Sequence, residues 1–362
     1  MTAQEEMLMN RILRPARLAT LLLVLALAAA WAGAAPAPGA TARAAAAPEA
    51  APARPAPQGL TRVQQGAVVF TPSYIDVYVA AARGLFAEQG LDVESTTFPD
   101  PGTASRAFVS GNLDFANIGL DYMIRAAEQT NNNIAIVAGQ EHRSTFALIS
   151  TPDVTSYDGL RGQVVAVVGP NDGTTLLLKR MLAANGLRDG DYDMQVVGGT
   201  PNRVAAMQAG VAKAGMIAPP AFFSLLDQGM NLLGRSADYV SEYAFSNHYV
   251  RRDWAERNQD TVVRYLAAIV KADRWIADPA NKDAGIAVLA DATRTSPEAA
   301  RRTWEYAIEQ LDSHVHDGEV SRDGVMAIIE QLGSIGDLPQ PLPAPERYVD
   351  LRYLEQARQL VR

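Results

Sequence analysis

A short loop, residues 169–175, carries the side chains best suited to holding an anion. Its sequence is Gly-Pro-Asn-Asp-Gly-Thr-Thr, and a predicted helix follows it. Backbone N–H groups and hydroxyls at a helix start can together bind an oxyanion. No lysine follows Gly173, so this is not a Walker phosphate-binding loop. The alternative interpretation is helix capping by Asp172 or Thr174.

Two tyrosines, Tyr74 and Tyr122, each lie after a predicted strand and at the start of a helix. An aromatic ring there can stack on a flat ligand while its hydroxyl donates a hydrogen bond; ordinary packing is the alternative. Asp76 and Asp121 lie beside them, and each could cap a helix or pair with an amine on the ligand. Asn117, near the end of a strand, could reach the same region or bond only to neighbouring backbone.

Arginine is the natural bidentate partner of a sulfonate or carboxylate. Arg143 and Arg203 are the arginines that we expect near the binding region, and the sequence does not decide whether either reaches the ligand. Arg83 fits a solvent-facing helix position.

Four histidines are present, and two of them, His314 and His316, form an H-x-H pair beside Asp312 and Glu319. In an extended segment such a pair could bind zinc. A solvated loop between helices is the interpretation that we prefer, and we expect no metal site. The histidines assemble no nucleophile elbow, HExxH motif or serine–histidine–acid order, so we expect no catalytic residues and no cofactor.

Alternating strands and helices must position these side chains. The apolar patterns predict two successive βαβαβ units, with strands at 63–70, 91–98, 115–119, 164–168, 194–197 and 214–218, and helices at 75–86, 103–110, 174–184 and 202–209. Such units form mostly parallel sheets, which bind ligands beyond the carboxyl ends of their strands. The loops at those ends supply our candidate ligand-binding residues: Ser73, Tyr74, Asp76, Thr103, Asn117, Asp121, Tyr122, Asn171, Asp172, Gly173, Thr174, Thr175, Asn202 and Pro219.

The composition supports a globular chain that binds a small molecule. The 362 residues are 48% hydrophobic and carry a formal net charge of −8, which argues against nucleic acid as a partner. Cysteine is absent, which excludes disulfides, thiolate metal sites and a lipid-accepting cysteine. From about residue 253 onward the apolar spacing predicts helices, which we expect to buttress the first α/β unit.

The amino terminus has the pattern of an export signal. Three arginines precede an apolar run at 18–31, and the small residues 32–34 follow, so we predict a signal peptide over 1–34, cleaved after Ala34. A membrane anchor is the alternative, although the run is short for a spanning helix. Glu5 and Glu6 lie where the leading end of a signal peptide should be positively charged. Met7 and Met9 are therefore alternative translation starts. An Ala/Pro-rich stretch over 35–60 predicts a disordered linker.

Several segments share the order and spacing of a known family. Residues 78–94 read YVAAARGLFAEQGLDVE, residues 110–116 read SGNLDFA, and residues 158–167 read DGLRGQVVAV. With Ala-Gly at 209–210 and Ala-Pro-Pro at 218–220, they resemble the nitrate, taurine, aliphatic-sulfonate and thiamine-pyrimidine-precursor binding proteins of ABC transporters. The likeness covers about 68–220 and weakly the helical tail. Lys213 replaces the family's second-lobe aspartate, so that residue's role is not carried over.

The resemblance implies a type II periplasmic-binding-protein fold, with two α/β lobes around a ligand cleft and a helical C-terminal buttress. We expect lobe 1 to comprise 61–148 and 245–362, lobe 2 to comprise 149–244, and the crossings to lie near 145–151 and 243–250. The implied function is capture of a small organic or oxyanionic solute, such as a sulfonate, taurine, nitrate or a pyrimidine, by lobe closure.

The implied partners are a permease and an ATPase of the inner membrane, and we expect a periplasmic monomer that is not an enzyme. Two alternatives remain open from the sequence: a periplasmic ligand-sensing subunit and a thiamine-pyrimidine-related enzyme.

Overall fold

The computed structural model describes residues 59–68 and 71–362. The predicted signal peptide, and the predicted linker up to residue 58, lie outside the described residues. Within the described part of the chain, every helix is too short or too polar to cross a membrane.

The described residues form ten strands and thirteen α-helices. The strands are β1 (Thr61–Val68), β2 (Leu91–Phe98), β3 (Phe115–Asn117), β4 (Ile134–Gly139), β5 (Ala147–Ser150), β6 (Val164–Val167), β7 (Asp193–Val196), β8 (Ala214–Ile217), β9 (Asn231–Arg235) and β10 (Asn247–Arg251). The helices are α1 (Ile75–Ala82), α2 (Leu85–Glu88), α3 (Pro101–Val109), α4 (Leu120–Gln129), α5 (Gly173–Ala184), α6 (Thr200–Gln208), α7 (Ala221–Asp227), α8 (Arg252–Arg257), α9 (Gln259–Ala277), α10 (Lys282–Thr293), α11 (Pro297–Trp304), α12 (Arg322–Ser334) and α13 (Arg352–Leu360).

Two five-stranded sheets organise these elements. The sheet of lobe 1 has the order β2-β1-β3-β10-β4, and that of lobe 2 has the order β7-β6-β8-β5-β9. In each sheet the first three strands are parallel, and β10 or β5 joins them antiparallel. The two predicted βαβαβ units are therefore confirmed, and the fold is the predicted two-lobed α/β architecture.

The chain passes between the sheets twice. Connecting segment 1 (residues 140–146) leads from β4 to β5, and connecting segment 2 (residues 236–246) leads from β9 to β10. Both crossings begin earlier in the chain than predicted. The predicted ranges include residues of β5 and β10, which hydrogen-bond within the lobe 2 and lobe 1 sheets respectively.

The predicted helix 75–86 is interrupted. Gly84 adopts a φ of +71°, which separates α1 from α2 because the left-handed conformation ends a right-handed helix. Polar residues start several other helices: Asp100 accepts a hydrogen bond from the amide of Thr103 in α3, and Asp172 accepts one from the amide of Thr174 in α5. These caps fix where the chain turns from strand to helix.

The C-terminal helices mainly support lobe 1. Helix α9 packs on α1 and α13, so that a buried cluster around Phe115, Tyr265 and Leu266 forms beneath the first sheet. Helix α12 packs on α4 in a second buried cluster. The prediction of a lobe 1 buttress needs one correction. Helix α11 contacts α7 of lobe 2, and Tyr306 in the following π-helical turn packs in the lobe 2 core, because its ring meets Phe222 and Phe223.

Candidate functional site

A narrow cavity lies between the lobes, where the ends of β1, β6 and β8 face one another. Its volume is about 70 Å³, roughly twice the space that one water molecule occupies in the liquid. Both lobes and both connecting segments contribute to it, and it is lined by Val68, Thr71, Ser73, Tyr74, Pro101, Gly119, Tyr122, Phe146, Val168, Asp172, Thr174, Gly199, Thr200, Arg203, Ala218 and Phe245. We call it the inner cavity.

Arg203 provides the positive charge of the inner cavity. It lies in the first turn of α6 and is only 2% exposed. Its Nη1 donates to the hydroxyl of Thr174 over 3.3 Å and its Nη2 to that of Thr200 over 3.0 Å, while Nε has no hydrogen-bond partner. Among the described residues, no carboxylate forms an ion pair with it. The guanidinium is therefore buried, charged and incompletely satisfied.

Burial lowers the pKa of Arg203 to about 10, and the nearby charge of Asp172 opposes that shift. The side chain therefore stays protonated at neutral pH. Buried charges are normally paired because desolvation is costly. An anion entering the cavity would supply the missing partner and the acceptor for Nε.

Asp172 and Thr174 form the lobe 2 rim beside Arg203. The carboxylate of Asp172 accepts hydrogen bonds from both the amide and the hydroxyl of Thr174, which caps α5. Tyr122 of lobe 1 lines the same cavity, and burial, followed by the charge of Asp172, raises the pKa of the Tyr122 hydroxyl. Because Thr174 donates to it through both its amide and its hydroxyl, Asp172 is engaged within the protein.

Aromatic side chains close the cavity at the connecting segments. Phe146 and Phe245 meet edge to face with their ring centroids 5.4 Å apart, and the guanidinium carbon of Arg203 lies 6.0 Å from the Phe146 ring. Tyr74 forms part of the lobe 1 wall, and burial raises the pKa of its hydroxyl. Apart from the cluster around Arg203 and the hydroxyls of Thr71 and Ser73, the walls are mainly apolar or aromatic, which strengthens any charge pairing inside.

Hydrogen bonds join the two lobes beside the inner cavity. Asp121 in α4 accepts from the amide of Gly173 at the start of α5, with an Oδ2–N distance of 3.0 Å. Arg125, one turn further along α4, donates to the carbonyl of Asn171. Tyr243 of connecting segment 2 donates to the carbonyl of Gly173 over 3.1 Å. Both backbone groups of Gly173 are therefore bound by residues outside lobe 2.

The carboxyl group of Asp121 is electrostatically unusual. Burial raises its pKa to about 7, and the charge of Asp172 raises it as well, whereas Arg125 and the Gly173 amide act in the opposite direction. Asp121 is therefore near its titration midpoint at neutral pH, at the contact between the lobes.

An outer cavity of about 670 Å³ adjoins the inner one and shares Thr71, Thr200 and Ala218 with it. Its other walls are mainly apolar or hydroxylic: Thr97, Phe98, Pro99, Pro201, Val204, Pro219, Pro220, Ala221, Ser224, Thr293, Arg294 and Thr295. A volume of this size lies within the range of small-molecule sites.

The family model described as NMT1/THI5 like matches residues 71–282, which include every wall of both cavities except Val68 and the 293–295 turn. The chain belongs to this family. A curated binding protein of Bacillus subtilis, YtlA, is 22% identical over 290 residues, which are 78% of this chain and 86% of that protein. The name of this relative describes a binding protein.

Solved structures show the same fold. The periplasmic nitrate-binding protein NrtA of Synechocystis PCC 6803 superposes with a TM-score of 0.71 at 17% identity, covering 83% of this chain and 89% of that one. The alkanesulfonate-binding protein SsuA of Xanthomonas axonopodis pv. citri, bound to MOPS, gives a TM-score of 0.64 at 18% identity, covering 79% and 97%.

The structure brings some of the residues predicted from sequence together around the inner cavity. These are Ser73, Tyr74, Tyr122, Asp172 and Thr174, while Pro219 lines the outer cavity. Gly173, Asn171 and Asp121 instead join the lobes through the bonds described above. Thr175 is buried in α5 behind the cavity wall, and its hydroxyl has no hydrogen-bond partner.

Asp76 and Asn117 lie beneath the cavity, and the expectation that they contact a solute is not met by their positions. Both are fully buried. Asp76 bonds to His248 and Gln140, each over 2.7 Å, and Asn117 bonds to Gln65, also over 2.7 Å. Because internal partners satisfy their polar atoms, they belong to a buried polar network under lobe 1.

The side chains of Thr103 and Asn202 also form hydrogen bonds to nearby residues of the same segment. The amide and hydroxyl of Thr103 both donate to Asp100, and Asn202 donates to the carbonyl of Val197. Neighbours on the same helices line the inner cavity in their place, namely Pro101, Thr200 and Arg203.

The sequence prediction left Arg203 undecided, placed Thr200 in a candidate loop without selecting it, and did not include Phe146 or Phe245. One feature of the sequence could have identified Arg203 and Thr200, because both lie at the start of the helix that follows β7. The two phenylalanines had no such signal, because they lie in connecting segments. Arg143, the other arginine considered, donates to the carbonyl of Leu311 and does not line either cavity.

Proposed function

We propose that this protein is the solute-binding component of an ABC importer and that it captures a small organic anion between its lobes. The observation that carries the proposal is Arg203, a buried guanidinium that lines the inner cavity and has no ion-pair partner in the part of the chain that the structure describes. An anionic group on the solute would pair with it and accept from the hydroxyls of Thr174 and Thr200.

Capture follows from differential affinity for the closed arrangement. Arg203 and Thr174 come from lobe 2, and Tyr74 and Tyr122 from lobe 1, so a solute touching all four stabilises closure. A ligand shifts such an equilibrium only as far as its affinities for the two states differ. The transporter would then recognise the closed form.

The two adjoining cavities favour an organic anion over a small inorganic one. The inner cavity suits a charged head group, and the outer cavity, with its proline, phenylalanine and valine walls, suits an apolar body. A sulfonate or carboxylate bearing a hydrocarbon or aromatic part fits both. The solved relatives described as binding nitrate and an alkanesulfonate support an anion as the cargo of this fold.

The remaining assignments rest on the family and the sequence. Relatives described as periplasmic, together with the export pattern before residue 35, support a periplasmic protein. A ligand-binding component of an import system implies a permease and an ATPase as partners. We assign no reaction to the chain, because its curated relatives are named as binding proteins.

A thermal-shift screen of the purified protein tests the proposal. The panel contains alkyl and aryl sulfonates, taurine, phthalate-like dicarboxylates, nitrate and neutral pyrimidines. An organic anion present at a hundredfold excess over its Kd should stabilise the protein by about 2.7 kcal/mol. A screen in which the neutral compounds stabilise the protein and the anions do not would refute the anion assignment.

A further inference from the structure

Three buried, potentially metal-binding side chains converge beneath lobe 1, outside the solute cavities. Asp76 comes from α1, Asp273 from α9, and His314 from the segment that follows the π-helical turn. One ligand atom from each lies within 4.8 Å of the others, and the residues are 0%, 2% and 7% exposed. The fold therefore places two carboxylates and an imidazole from distant parts of the sequence at one point.

The hydrogen bonds around this cluster leave one atom unpaired. Asp273 bonds through Oδ1 to Nε2 of His314 over 2.9 Å and through Oδ2 to the amide of Gly318 over 2.7 Å. Asp76 bonds to His248 and Gln140. Among the described residues, Nδ1 of His314 has no partner, and it lies on the ring edge opposite the Nε2 that meets Asp273. An ion between the carboxylates would coordinate Nε2 and replace its hydrogen bond to Asp273.

The charges of the cluster also favour a cation. Two buried carboxylates close together repel each other, and a divalent cation between them would offset that repulsion. Imidazole with carboxylate oxygens is a ligand set that zinc and related divalent ions accept. His248, Gln140 and the Gly318 amide would orient the two carboxylates from behind, as outer partners of metal ligands do.

A cavity of about 200 Å³ gives access to the cluster from the surface. Asp273 and His314 form part of its wall, and Asp312, Glu309 and His316 line it as well. A cation could therefore reach the buried ligands along a wall that carries carboxylates and a second imidazole.

We propose that Asp76, Asp273 and His314 form a binding site for one divalent transition-metal cation, with Zn²⁺ as the representative ion. Ligand atoms around tetrahedral zinc lie about 3.3 Å apart, so the three side chains must draw closer than their present spread. On binding, any proton held by the coordinating ring nitrogen passes to solvent. The ion would tie α1, which follows the cavity residues Ser73 and Tyr74, to α9 and the 311–321 segment.

This site differs from the exposed H-x-H pair considered from the sequence. His314 takes part, but its partners are the two aspartates, whereas the side chain of His316 is 66% exposed. His316 therefore offers a matched control on the same segment. The proposal is independent of the solute bound between the lobes.

Zinc binding to the purified chain, prepared without a histidine tag and dialysed against a chelator, tests the proposal. Elemental analysis after addition of Zn²⁺ and removal of excess should give one zinc per chain, with a raised melting temperature. His314→Gln should lose both effects, Asp273→Asn should weaken zinc binding at least about tenfold, and His316→Gln should retain both.

Two results would overturn the proposal. One is the absence of stoichiometric zinc on the wild-type chain, a result that needs no folded variant. The other is full zinc binding by His314→Gln. Whether or not His316→Gln then loses zinc, that result would place the ion at surface groups.

Discussion

Asp121 and Gly173 join the two lobes through a single hydrogen bond, with 3.0 Å between the carboxylate Oδ2 and the backbone nitrogen. The carbonyl of the same glycine accepts from Tyr243 and from Gln331. Both backbone groups of Gly173 thus form hydrogen bonds, and the glycine has no side chain of its own to separate it from its partners. The two lobes therefore approach each other closely at this glycine.

Gly173→Ala should weaken solute binding by preventing close approach. A Cβ at this position would lie 3.0 Å from Oδ1 of Asp121 and 3.4 Å from the hydroxyl of Tyr243. The backbone of Gly173 does not have a positive φ, so the substitution adds no backbone strain of its own. We expect the Kd for a bound organic anion to rise about tenfold or more, equivalent to about 1.4 kcal/mol, measured by titration calorimetry.

Gly169→Ala in the same loop is the matched control. A Cβ there would meet no atom within 4 Å, and φ is again not positive. Its Kd should equal that of the wild type. Equal affinities for the wild type and Gly173→Ala would show that closure does not need this contact.

The titration of Asp121 should make solute binding depend on pH. Its pKa in the closed protein is about 7, raised first by burial from an ordinary 3.8. A cleft that opens returns the carboxyl to water, so closure favours the protonated form. Affinity should therefore be highest at acidic pH and fall as pH rises through about 7.

A sulfonate solute isolates this effect, because its own charge is constant over that range. We expect its Kd to rise about tenfold between about pH 5.5 and about pH 7.5 for the wild type. Asp121→Asn should flatten the profile, since an amide does not titrate. A variant profile as steep as that of the wild type would assign the effect to another group, of which Glu141 beneath Ser73 is the nearest example.

Glu141 should reduce stability at neutral pH. Burial raises its pKa from 4.5 to about 7, although hydrogen bonds from Ser73 and Thr145 act against the shift. A raised pKa in the folded state contributes stability below about pH 4.5, and that contribution is lost as pH rises through about 7. The contribution is at most about 3 kcal/mol.

Urea unfolding at several pH values measures this contribution. The free energy of unfolding of Glu141→Gln should fall less between about pH 4.5 and about pH 7.5 than that of the wild type. The glutamine oxygen can accept from the Thr145 amide while its NH2 group donates to the Ser73 hydroxyl, so the pH dependence, rather than the absolute free energy, isolates the charge. Parallel profiles for the two proteins would contradict the buried-carboxyl interpretation.

Arg203→Met should leave the free energy of unfolding unchanged or raise it by about 1 kcal/mol. The guanidinium is buried and lacks an ion-pair partner among the described residues, so it contributes desolvation cost rather than stability. Denaturant unfolding without solute measures the change. A loss of several kcal/mol would indicate that Arg203 is a structural residue.

The fold could be predicted from the sequence because the apolar residues recur at regular helix and strand spacings. The strand predicted at 91–98 has those bounds in the structure, and all four helices predicted in the two βαβαβ units begin within two residues of their predicted starts. The crossings were misplaced, since β5 and β10 are short strands whose pairing depends on partners far away in the chain. Periodicity does not identify such partners.

The site was predicted at the level of loops rather than of side chains. Parallel-sheet geometry selected the starts of α5 and α6, and residues from both line the inner cavity. Asn202 and Arg203 are neighbours, but only the arginine faces the cavity, because the helical turn directs adjacent side chains differently. Asp76 follows two cavity residues closely and yet is buried beneath them, which only the packing of α9 against α1 determines.

The affinity of the wild type and of Arg203→Met for one organosulfonate tests the central claim most directly. Titration calorimetry should give saturable binding to the wild type and a Kd at least about a hundredfold higher for Arg203→Met, a loss of about 2.7 kcal/mol, as removal of a buried charge partner implies. Arg143→Met, which alters an arginine outside both cavities, should bind like the wild type. Equal affinity in the Arg203→Met variant would contradict anion capture at this site.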